Sequence, residues 1–162
     1  QRMRVDEART ILEYAADIPA KLRTIAAEKA EIEGELNCLH GIEYGGMPHG
    51  SGHSDTTADI AERADALGYL DRLRMLEVQE TILRGDLARI KEQIWTLKDV
   101  YTTVISEICL CGHSFEEAAP KIGYSVSHTK RIKSEAILRL AEALDGMMQA
   151  DEIRARAYNA RK

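Results

Sequence analysis

The chain has 162 residues, a net charge of −5, 30% charged residues and only 5% aromatic residues. So few aromatics beside so much Ala, Leu, Glu, Arg and Lys favours long amphipathic helices over a thick globular core. No apolar run approaches the roughly 18 residues of a membrane span, and no signal-peptide core opens the chain. Three cysteines, an odd number, fit a reducing cytoplasm. Gln1 and Arg2 are set aside, with Met3 read as the native start.

Residues 5–43 carry apolar side chains at three- and four-residue steps, among them Val5, Ile11, Leu12, Ile18, Ile25, Ile32 and Leu36, and read as helix. Pro19 removes one hydrogen bond, so a kink or break is expected near Asp17–Ile18. Residues 44–54 hold four glycines and one proline and read as a loop, after which Ser54 or Asp55 offers a cap. The helical period resumes from Thr56 to Leu97. Each stretch has a single apolar stripe, which one helix cannot bury alone. The expected fold is therefore all-α: a long antiparallel hairpin, close to a two-stranded coiled coil, over residues 3–97. Gly34 would lie near Ala64 and Gly68, letting the backbones approach, and Gly85 would be a weak point. Dimerisation of these helices with a second chain is the open alternative.

Residues 98–146 lay out as three short helices. The first carries Val100, Val104, Ile105, Ile108 and Leu110 and ends at Gly112. Ser114 caps the second, with Glu117 three residues on as a capping box requires. Gly123 ends it, where glycine tolerates a left-handed backbone. Ser125 caps the third, whose inner face is read as Val126, Thr129, Ile132, Ala136, Leu138 and Leu140. This is the plan of a helix-turn-helix, whose last helix enters the major groove. From Lys121 to Leu140 five cationic residues stand against Glu135 alone, so the acidic excess lies elsewhere. Ser125, Ser127, His128, Lys130, Arg131, Lys133, Ser134 and Lys121 are the candidate DNA contacts. Ser127, His128 and Arg131 are best placed for bases; Lys130, Lys133 and Lys121 suit phosphates. Residues 147–162 form a tail that either extends the last helix or frays.

The stretch Gly112-His-Ser-Phe-Glu-Glu-Ala-Ala, with Ile122-Gly-Tyr-Ser-Val-Ser-His-Thr-Lys-Arg-Ile and Ala136-Ile-Leu-Arg-Leu, resembles region four of sigma-70 factors. It is similar to the same module in phage late-transcription regulators of the RinA/ArpU type. The hairpin with its Gly46-Met-Pro-His-Gly-Ser-Gly loop resembles that family too. The resemblance implies a phage or prophage activator of late or packaging genes that binds double-stranded promoter DNA in the cytoplasm of a bacterial host, at the nucleoid. It leaves open a contact with RNA polymerase. Pro120 departs from the family pattern, which has a polar helix former there.

Other readings stand beside this one. A coiled-coil adaptor that binds RNA polymerase or a sigma factor without reading DNA would share the fold. Met47, Pro48, His49 and Gly50 in the tip loop form a candidate partner site, against a plain connector or, through His49 and His53, a metal site. Cys109, Cys111 and His113 alternate, and Cys38 stands near His40. Structural zinc commonly uses cysteine pairs two to four residues apart, so these read as packed or idle thiols. No cofactor and no catalytic arrangement is expected.

Overall fold

The computed structural model describes residues 2–41 and 57–162. The 44–54 loop, with Met47, Pro48, His49 and Gly50, lies outside them. Among the described residues the regular structure is all helical: α1 (Val5–Gly41), α2 (Thr57–Trp95), α3 (Asp99–Val104), α4 (Phe115–Ile122), α5 (Val126–Asp145) and α6 (Ala150–Asn159). A π-helical segment, Ile105–Leu110, continues α3.

Of the kink or break expected near Asp17–Ile18, the break is absent: α1 runs through Pro19 without interruption. Ile11, Ala15 and Ile18 are buried on one face while Pro19 is exposed. Each buried isoleucine contributes about 1.5–3 kcal/mol, enough together to offset a lost bond of roughly 3 kcal/mol.

The chain divides into two compact units. One is Ala20–Ile82, in which the later part of α1 and the earlier part of α2 pack together around Ile25, Ile32 and Leu76. Arg72 Nε donates to Glu28 Oε1 at 2.7 Å, and Lys29 Nζ to Glu80 Oε2 at 3.3 Å. The close approach expected at Gly34 and Gly68 is corrected: a Cβ added at either would meet nothing within 4 Å. These glycines face open space, and larger side chains make the seam.

The other unit joins Gln1–Pro19 to Leu83–Lys162. It holds most of the buried apolar side chains, from Ile11 and Ile18 through Ile90, Ile94, Val104 and Ile105 to Leu140, Leu144 and Ile153. The division expected after residue 97 therefore does not coincide with the compact units, whose cuts fall after Pro19 and Ile82. Both ends of the chain bury their apolar faces in one core.

Residues 147–162 are more than a fraying tail. Gln149, at φ 60°, turns the chain into the separate helix α6, which buries Ile153 and Ala157. Arg156 grips Asp86 of α2 with two bonds of 2.7 Å, and the Tyr14 hydroxyl of α1 donates to the same carboxylate at 2.8 Å. Asp86 is 1% exposed, so three donors replace the water it lost. Burial, then the bond to Asp86, pushes the Tyr14 phenol well above its ordinary range.

Candidate nucleic-acid interface

Two helices and one turn build the site. Ser114 Oγ accepts from the Glu117 backbone N–H at 3.2 Å, while Glu117 Oε2 accepts from the Ser114 N–H at 2.9 Å, closing the capping box of α4. Pro120 sits inside α4 on its exposed side, so its ring meets solvent and the helix continues to Ile122. Gly123 then takes φ 84°, in the left-handed region, and its N–H bonds Ala119 O at 2.9 Å. Ser125 caps α5, its Oγ accepting from the His128 N–H at 3.2 Å.

Ala118 and Ala119 of α4 are buried, as are Thr129, Ile132 and Ala136 of α5. The inner face of α5 differs from the expectation at two positions. Leu138 is exposed and Val126 only half-buried, while Ile137, Ala141 and Leu144 are buried. α5 packs on α3 as well as on α4, and Ile137 lies beside Leu12 of α1.

The candidate contacts occupy distinct positions. Ser127, Arg131 and Ser134 are exposed on one face of α5, at i, i+4 and i+7, opposite Thr129 and Ile132. Arg131 makes no hydrogen bond or ion pair among the described residues, so its five donors face solvent. His128 is exposed and stacks on Tyr124, with ring centroids 4.6 Å apart and planes at 26°. Lys130 and Lys133 lie over the Phe115 ring of α4, their Nζ atoms 5.5 and 5.4 Å from its centroid. That cation–π clamp draws two ammonium groups to one place beside the helix start.

Lys121 is exposed and paired within the chain. Its Nζ reaches Glu107 Oε2 at 3.0 Å, and His113 Nδ1 lies 2.6 Å from the same oxygen. These two partners hold the Glu107 carboxyl below its ordinary value, His113 contributing most. The Lys121 charge is thus partly balanced within the chain. Glu135, the one carboxylate of the basic stretch, takes a hydrogen bond from Tyr101 of α3, which pushes the Tyr101 phenol up.

Tyr124 and Phe115 were not among the residues singled out by sequence. An aromatic at the residue after a left-handed glycine, four before His128, was the available signal for the first. For the second, only the three-dimensional approach of α4 to α5 shows that Phe115 sits under both lysines. The cysteines and histidine at 109, 111 and 113 separate in use: His113 is committed to Glu107, and burial pushes the Cys109 thiol up. Among the described residues no group of three or more His, Cys, Asp or Glu side chains is arranged to hold a metal ion.

No family model, no curated protein and no solved structure matches the chain. No helix among the described residues is long and apolar enough to cross a membrane.

Proposed function

We propose that the chain is a sequence-specific DNA-binding transcription regulator, with α5 as the helix that enters the major groove of promoter DNA. The observation that carries this reading is the left-handed turn at Gly123 between two side-chain-capped helices, followed by an exposed α5 face bearing Ser127, Arg131 and Ser134. Arg131 has the fork geometry that reads guanine edges, and Ser127 and His128 stand near the helix start, where base contacts concentrate. Lys130 and Lys133 suit phosphates. The Tyr124–His128 stack fixes the histidine ring against the turn.

The resemblance to phage late-transcription regulators of the RinA/ArpU type gives this reading its biological setting: a late or packaging promoter, RNA polymerase as a further partner, and action at the nucleoid of a bacterial cytoplasm. Protein charge agrees with a localised interface, since a net charge of −5 leaves no general attraction to DNA.

Titration of labelled duplex DNA with the full chain at rising salt tests it. Each phosphate contact adds about −0.9 to the slope of log affinity against log salt. The parent should show a steep slope, and the combined substitution Arg131→Ala with Lys133→Ala should remove most binding. Unchanged binding by that double variant would refute the assignment and favour an adaptor that meets proteins instead of DNA.

A further inference from the structure

The unit Ala20–Ile82 has an outward face that its own packing leaves uncovered. Leu67, Leu70, Met75, Val78 and Ile82 of α2 are 63%, 41%, 57%, 59% and 40% exposed, whereas Leu76 on the opposite side of the helix is 1% exposed. No large exposed apolar side chain of this unit lies on α1 among the described residues. The uncovered surface is therefore a property of one helix, and it runs lengthwise along it. Leu67 and Val78 are eleven residues apart, which places them within about 20° of the same helix face and roughly 16 Å apart along the axis.

Two charges sit between them on that face. Asp71 and Arg74 are each 77% exposed and meet only at 3.8 Å within the chain, so both remain available to another partner. The order Leu67, Asp71, Arg74, Val78 is symmetric about a point between residues 72 and 73. A second copy laid antiparallel across that point would put Leu67 against Val78 of the other chain, and Asp71 against Arg74 of the other chain, each twice. One turn further out Ala64 would meet Thr81, whose hydroxyl is already satisfied by Glu77 O at 2.9 Å. The three- and four-residue spacing of these positions is that of a helix-pair seam. A parallel arrangement in register would instead set Asp71 on Asp71 and Arg74 on Arg74, which like-charge repulsion forbids.

We infer that the outer face of α2 is an isologous interface at which two copies of this chain pair antiparallel, the Asp71–Arg74 pairs setting orientation and register. The apolar positions supply the driving force. The central ionic layer selects one alignment, the use to which a polar layer in an apolar seam is best suited. A twofold dimer would present two copies of α5, which matches a two-fold symmetric DNA site. The inference does not depend on DNA binding, because the interface forms without it.

Sedimentation of the full chain without DNA, over a concentration series, is the test. The parent should be dimeric at micromolar concentration. Val78→Glu should weaken the dimer by at least about tenfold, since it puts a carboxylate into the apolar seam. Asp71→Arg alone and Arg74→Asp alone should each weaken it by about tenfold, and the two together should return to within about threefold of the parent. All substituted positions are exposed, and circular dichroism checks that helix content is retained. A monomeric parent would overturn the inference, as would a Val78→Glu dimer of parental strength. A combined charge swap as weak as either single variant would overturn the antiparallel register.

Discussion

Glu107 shows how one side chain can join features that look unrelated in the sequence. It accepts from Lys121 at 3.0 Å and pairs with His113 at 2.6 Å, and the two hold its carboxyl below the ordinary value of 4.5. A carboxyl lowered in this way stabilises the fold at neutral pH. That contribution is fully present above about 4.5 and is lost as pH falls through the depressed folded value. Glu107→Gln should therefore flatten the acid limb of stability against pH, measured by denaturant titration below pH 4.5, with the parent losing more than the variant. An identical acid limb in both would remove the role given to this cluster. The alternation of Cys109, Cys111 and His113 gives no hint of an acidic partner for the histidine, and Glu107 is one carboxylate among many in the sequence. The end of the π-helical segment Ile105–Leu110 brings the two together: Gly112 takes φ 73° and the His113 N–H donates to Glu107 O at 3.0 Å.

At the scale of elements, α4, its turn and α5 were legible because their signals are local. Ser114 with Glu117, Gly123 and Ser125 each act within four residues of themselves, and all act as the sequence implies. What depends on distant partners was not legible. Periodicity could not choose between Leu138 and Ile137 for the buried face of α5, because that depends on distant residues such as Leu12 of α1 and Cys109, which lie beside Ile137. The uninterrupted course of α1 through Pro19 depends on burial around it. Helix α6 was hidden for the same reason: Asp86 reads as one more charge on a charged helix, and its two bonds to Arg156 lie 70 residues away in sequence. Replacing Asp86 with alanine leaves Arg156 and the Tyr14 hydroxyl without their acceptor, and should cost about 3–5 kcal/mol in a urea titration. A loss under about 1 kcal/mol would mean that α6 is held by its apolar contacts through Ile153 and Ala157 and by the Arg154–Glu7 pair rather than by Asp86.

The whole molecule places its proposed DNA-facing helix in a core assembled from both ends of the chain. Met3 N donates to Asp145 Oδ1 at 2.8 Å, so the first described residues tie down the end of α5. A fragment starting at residue 98 would lose Ile11, Ile18, Ile90 and Ile94 from that core, and experiments on DNA recognition belong on the full chain. The hairpin helices and the helix-turn-helix order could be read from periodicity. Their grouping into two compact units could not, since it rests on which apolar faces meet. Selection of bound duplexes from random DNA, with the full chain and its Arg131→Ala variant side by side, tests the central assignment most directly. The parent should enrich one motif, and the variant should lose preference at a single base position while keeping the rest. No enriched motif from the parent, or the same motif at full strength from the variant, would contradict an α5 that reads DNA through Arg131.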